Sequence, residues 1–256
     1  MTVAFQSFGR SAMGAFIKSP LGARGFYNEK PYFAAVGTFE AWATSVDGMD
    51  WDSYITSDGS WTSVAYGNGM YVAVGSGGQM FWSDDGVNLN YIDTGSQSWK
   101  GITWGNNLFV AVGFNGDIGY SSDGINWSTT NTGSTSHDWA GVCFGNNLYV
   151  AVGYNGYIGY SSDGSSWTVV DTGTHTWVGV CYGNGKYIAC GASGYFAYST
   201  DADSWTVGDT GTETWYSVTY GNGTYVMVGN SGKIAYSSTG ESWTVTTVGT
   251  YSRRVS

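Results

Sequence analysis

Residues 160–168 read YSSDGSSWT, and the phrase returns at 120–128 as YSSDGINWS, at 198–206 as YSTDADSWT and at 236–244 as YSSTGESWT. Ser, Asp, Gly and Trp at fixed spacing can mark either a reaction centre or a structural joint. The distances between copies decide. The turn residues Asp47, Asp85, Asp123, Asp163, Asp201 and Thr239 are separated by 38, 38, 40, 38 and 38 residues. A second ruler, Trp61, Trp99, Trp139, Trp177 and Trp215, gives 38, 40, 38 and 38. A period near 40 with several short strands per unit is the signature of a β-propeller.

Each unit divides into four strands, as the fifth shows: WVGVCY (177–182), KYIACG (186–191), YFAYS (195–199) and SWTVG (204–208). The first two are joined by an aromatic-Gly-Asn-Gly/Asn turn, YGNG at 66–69, 182–185 and 220–223, WGNN at 104–107 and FGNN at 144–147. Asn-Gly and Asn-Asn accept the positive φ that a type I′ hairpin needs at both central positions. The second and third strands are joined by a Gly-containing loop, and the third and fourth by the opening phrase. Six twisted four-stranded sheets arranged radially bury both faces of each blade, which a single sheet of that many strands would not. The expected fold is therefore all-β, a six-bladed propeller of four-stranded antiparallel blades over residues 22–256, preceded by an N-terminal arm at 1–21. NEKP (28–31) replaces the Gly-Asn turn in the first unit, whose inner strand is expected from about 22–28; alternatively, YSRRV (251–255) closes the ring.

Within the phrase, Asp and Ser oxygens accept backbone N–H groups in a tight turn, Gly takes positive φ and Trp packs the outer strand onto the blade. A reaction centre needs different residues converging on one point, and copies spread round a ring do not converge. At these residues the chain resembles the Asp-box repeat, Ser-x-Asp-x-Gly-x-Thr-Trp, of sialidase-type propellers. Its turn is one residue shorter, as in Asp163-Gly-Ser-Ser-Trp167, with Leu89 for Trp in blade two, Ala202 for Gly in blade five and Thr239 for Asp in blade six. The resemblance implies that the phrase joins the third and fourth strands of a blade. The chain is also similar to repeat propellers of bacteriophage tail, other virion and bacterial surface proteins, which implies a receptor-binding role.

Composition agrees with the fold and narrows the function. The 256 residues include 41 Gly, 13 Trp and 20 Tyr but only 2 Pro, and 11 % are charged, a turn-rich and aromatic mixture lacking the Lys/Glu/Ala/Leu content of helices. The formal charge of −10 excludes phosphate-backbone recognition of nucleic acid, which needs clustered Lys and Arg. Between residues 31 and 252 the only cations are Lys100, Lys186 and Lys233. No stretch approaches the ~20 apolar residues of a membrane span, and MTVAFQSFGRSAMGAFIKSP lacks a secretory apolar core, so synthesis in a cytoplasm without a signal peptide is expected. Cys143, Cys181 and Cys190 lack metal-ligand spacing and read as small buried side chains.

Sialidases hold a substrate carboxylate with three arginines, and here Arg10, Arg24, Arg253 and Arg254 all lie in the terminal segments. Other glycosidases need two carboxylates about 5–10 Å apart. Asp93, Asp171 and Asp209 occupy equivalent loop positions that capping explains, while Asp138 and Glu213 are blade-specific without forming an evident acid/base pair. His137 and His175 suggest no third ligand for zinc. No cofactor and no catalytic residue are expected.

Binding remains. The inter-blade connections and the second-to-third-strand loops share one face, where sequence varies between blades. The expected ligand-binding residues are Phe114, Tyr154, Tyr157 and Tyr195 on those loops, Trp139, Trp177 and Trp215 opening the inner strands, and Asp171 and Asp209. Aromatic rings beside hydroxyls, amides and carboxylates suit sugars. The expectation is a non-catalytic virion or cell-surface module that recognises a glycan or host-surface receptor and docks to its assembly through residues 1–25. A structural virion protein making protein contacts is the alternative, and a glycoside hydrolase the third reading.

Overall fold

The computed structural model describes residues 17–18, 33–37, 41–56 and 60–248. They form six four-stranded antiparallel sheets in which every strand pairs with its sequence neighbours. Blade one comprises Ile17–Lys18, Phe33–Val36, Ala41–Ser45 and Asp52–Ile55, and blade two Trp61–Gly67, Met70–Gly75, Gln79–Ser83 and Asn90–Asp93. Blade three comprises Trp99–Gly105, Leu108–Gly113, Asp117–Ser121 and Ser128–Asn131, and blade four Trp139–Gly145, Leu148–Gly153, Tyr157–Ser161 and Thr168–Asp171. Blade five comprises Trp177–Gly183, Lys186–Gly191, Tyr195–Ser199 and Thr206–Asp209, and blade six Trp215–Gly221, Thr224–Gly229, Lys233–Ser237 and Thr244–Thr247. The molecule is a six-bladed β-propeller, and the strands of each blade are called inner, second, third and outer.

The inner strand of blade one lies at Ile17–Lys18, paired with Ala34 and Phe33, rather than within 22–28. This strand falls inside the stretch expected to be an arm; the rest of 1–21, the remainder of the 1–25 docking segment and YSRRV lie outside the described residues. The outer strands begin about two residues later than expected. In blade five Asp201 Oδ1 accepts the N–H groups of Asp203 and Ser204, and Trp205 Nε1 donates to Ala202 O, so the turn persists through Trp205. The inner hairpins turn as their sequence requires, with positive φ at Asn106 and Asn107 and at Asn184 and Gly185.

Adjacent blades interlock at their inner edges. In blades three to six the aromatic residue near the end of the inner strand lies against a glycine of the preceding blade: Trp104 on Gly67, Phe144 on Gly105, Tyr182 on Gly145 and Tyr220 on Gly183. A Cβ at any of these four glycines would lie 2.0–2.2 Å from a ring carbon, so only glycine admits the ring. Tyr149, Tyr187 and Tyr225 then donate their hydroxyls to the carbonyls of Gly105, Gly145 and Gly183. Apolar clusters fill the space between blades, as where Val150, Val152 and Ile158 of blade four meet Trp177, Tyr187 and Ala189 of blade five.

Candidate functional site

The tryptophans opening the inner strands are structural posts. Trp139, Trp177 and Trp215, expected to contact ligand, are fully buried and offer it no surface. The indole Nε1 of Trp61, Trp99, Trp177 and Trp215 donates to Thr56, Thr94, Thr172 and Thr210 of the preceding connection at 2.8–2.9 Å. Their repetition therefore reflects a repeated packing task. Blade four departs from this arrangement because the connection before Trp139 is two residues longer. Thr132 Oγ1 there faces His137 Nδ1 at 3.0 Å, and Trp139 Nε1 is buried without a partner.

Asp171 and Asp209 have local work as well. Each Oδ1 accepts the N–H two residues on, from Gly173 and Gly211, as Asp93 does for Gly95 and Asn131 for Gly133. They remain exposed at the loop rim.

Phe114 and Tyr154 are brought together. They begin the second-to-third-strand loops of blades three and four, held by N–H bonds to Ser98 O and Asp138 O, and their ring centroids are 5.9 Å apart. Both are half-buried. Lys100 joins them. Trp99 pairs with Gly113 and Gly101 with Val112, leaving Lys100 as the extra residue of a β-bulge, a device that re-aims a side chain. Its Nζ lies 4.3 Å from the Phe114 ring centroid.

Asp138 completes the cluster, its Oδ1 accepting the Asn115 N–H at 2.9 Å. Burial pushes the Lys100 ammonium below its ordinary value, opposed by the Asp138 charge. Burial raises the Tyr154 phenol, and Asp138 raises it further. The cluster thus presents two ring surfaces, one cation, one carboxylate and the exposed Asn115 amide on one rim of the propeller.

Tyr157 and Tyr195 are held against the preceding connections, on His137 at 4.5 Å and on His175 at 4.3 Å between ring centroids. In blade six the equivalent positions form a Lys233–Glu213 ion pair at 3.3 Å. These pairs fill one repeated niche with different chemistry. Burial also holds His137 below its ordinary value. Among the described residues, no group of three or more His, Cys, Asp or Glu side chains is arranged to hold a metal ion.

A cavity of about 320 Å³ lies between the inner strands, lined by residues such as Val142, Cys143, Phe144 and Thr219. Cys143 and Cys181, expected to be buried, are part-buried on its wall, whereas Cys190 is fully buried. Desolvation raises all three thiols, away from the thiolate form.

No family model and no curated protein matches the chain. Among solved structures it is similar to a streptogramin B lyase, with TM-score 0.79 and 13% identity over 93% of this chain and 83% of that one. A catalytically inactive virginiamycin B lyase from Staphylococcus aureus with quinupristin gives TM-score 0.79 and 12% identity over 95% and 87%. YCF48 bound to D1 peptide gives 0.67 and 17% over 94% and 86%. At these identities the likeness is one of fold.

Proposed function

We propose that this propeller is a non-catalytic binding module that recognises a glycan at the Lys100–Phe114–Tyr154–Asp138 cluster. The supporting observation is the bulge that turns Lys100 of the blade-three inner strand onto Phe114, beside a second ring and a carboxylate. Ring faces stack on the C–H faces of a sugar, while Asn115, Asp138 and Lys100 offer both donors and acceptors to its hydroxyls. The setting, a virion or cell surface, is proposed from resemblance to phage tail and surface propellers, with residues 1–25, apart from the blade strand Ile17–Lys18, as the segment docked to the assembly. A glycan array and a cell-adsorption assay test the reading. Binding that weakens in Phe114→Ala and Tyr154→Ala supports it; a folded protein binding no glycan and no cell counts against it.

Protein contact by the same face is the second reading, since YCF48, a propeller of similar fold, is seen bound to a peptide. Capture of a protein partner, lost in Tyr154→Ala without any glycan signal, would select it.

A further inference from the structure

Successive blades are fastened by their Ser-Asp turns, and the joint from blade six to blade one lacks these fastenings among the described residues. At the joint between blades one and two, Trp42 Nε1 donates to Gly86 O at 2.9 Å. Farther round, the turn glycines of blades three, four and six sit on the second strand of the preceding blade. A Cβ on Gly124 would meet Val72 at 2.9 Å, one on Gly164 would meet Leu108 at 2.7 Å, and one on Gly240 would meet Ile188 at 2.5 Å. For Gly48, the same residue of blade one, the nearest described atoms belong to Phe33 of its own blade, at 3.3–3.6 Å.

The residue after the turn glycine also reaches backwards. Asp203 accepts the hydroxyl of Tyr160 at 3.0 Å, and Glu241 pairs with Lys186. The register makes Met49 the equivalent of Asp203, and Tyr236, paired with Val226 as Tyr160 is with Val150, the equivalent of Tyr160. Met49 is 80% and Tyr236 46% exposed. Val226, Val228 and Ile234 of blade six are part-buried where Val150, Val152 and Ile158 are fully buried. On blade one, Phe33, Ala35 and Ala43 are likewise part-buried.

Two apolar faces with matching positions are thus incompletely covered, and a space of about 360 Å³ is lined by Thr224, Tyr236 and Trp243. Trp243 Nε1 is buried without a partner. We infer that this seat on blade six is a docking surface for the Ser45–Asp50 turn of blade one, seating Gly48 on Val226 and Met49 on Tyr236. The occupant follows from the fastened joints, where the same seat takes the same turn, and from the exposed apolar residues facing both sides. Docking covers both faces by hydrophobic burial and a methionine–aromatic contact. A second copy docking head to tail is the competing occupant.

A short bismaleimide applied to a Met49→Cys/Tyr236→Cys double variant tests this. Tyr160→Cys/Asp203→Cys serves as a fastened-joint control, and the parent chain reports any background from Cys143, Cys181 and Cys190. An intramolecular cross-link forming as readily as in the control is expected. Cross-linking between chains, or separate alkylation of both thiols while the control cross-links, overturns the inference. Peroxide footprinting of the unsubstituted chain gives an independent reading. Met49 should form sulfoxide roughly tenfold more slowly in the native chain than in denaturant, and equal rates overturn the docking.

Discussion

The ring of Phe144 in blade four lies directly on Gly105 of blade three, whose carbonyl also accepts the Tyr149 hydroxyl. Glycine at the end of the inner strand is therefore half of an inter-blade contact. Gly105→Ala should destabilise the protein by about 1–3 kcal/mol through overpacking, lowering the melting temperature by several degrees. Gly221 occupies the equivalent position in blade six but has no described atom within 4 Å of its Cβ direction, so Gly221→Ala should melt as the parent does. Equal losses in the two variants, measured by thermal denaturation, would assign the glycines to backbone conformation instead.

The two classes of inner tryptophan should separate on substitution. Trp177→Phe removes the 2.9 Å bond to Thr172, whereas Trp139→Phe removes an indole N–H that has no partner. Both lose ring volume, so the difference isolates the hydrogen bond. Urea denaturation should show Trp177→Phe to be more destabilising by about 1 kcal/mol.

Acid should weaken the fold through the Ser-Asp turns. For Asp85, burial works to raise the carboxyl, but N–H donors from Asn88 and Val87, the Asn88 amide and the Ser83 hydroxyl outweigh it and pull the value down to about 2 from an ordinary 3.8. The Asn126 amide and backbone N–H groups likewise hold Asp123 below the usual range. Because the folded values are depressed, their stabilisation is complete above the ordinary carboxyl value and is lost as pH falls from about 4 towards 2. Asp85→Asn should be less stable than the parent at neutral pH and lose less over that acid interval, as urea midpoints at a series of pH values would show.

The rim cluster makes a graded prediction for whichever ligand the array identifies. Phe114→Ala removes the ring beneath Lys100 and should weaken binding about tenfold, since a lost stacking contact costs on the order of 1 kcal/mol or more. Lys100→Met retains an aliphatic stem over Phe114 while removing the charge. It should cost less for a neutral sugar than for an acidic one, which titration with paired neutral and carboxylated glycans would reveal.

The architecture was legible because the residues that build it repeat. Asp123, Asp163 and Asp201 each accept the same pair of backbone N–H groups, so one turn explains the others. Repetition also misled: Trp139, Trp177 and Trp215 looked like a platform and are buried posts. Phe114 and Tyr154 stood out because they differ between blades, but Lys100 did not enter the expected site. Its identity is visible against Thr62, Ala140, Val178 and Tyr216 at equivalent positions, whereas its aim depends on a bulge set by strand register. The inner strand of blade one was placed too late because 14 residues, 19–32, stand where other blades need a two-residue turn.

Each described sheet is built from strands adjacent in sequence, including those at the two ends of the series. Among the described residues, no blade is assembled from distant parts of the chain. Copying one segment of about 40 residues therefore adds a complete sheet, with its own turn, post and interlocking aromatic ring, and leaves every other hydrogen-bond ladder unbroken. A gene of this form can change the circumference of its product one whole blade at a time, and can vary a single rim loop without disturbing the rest.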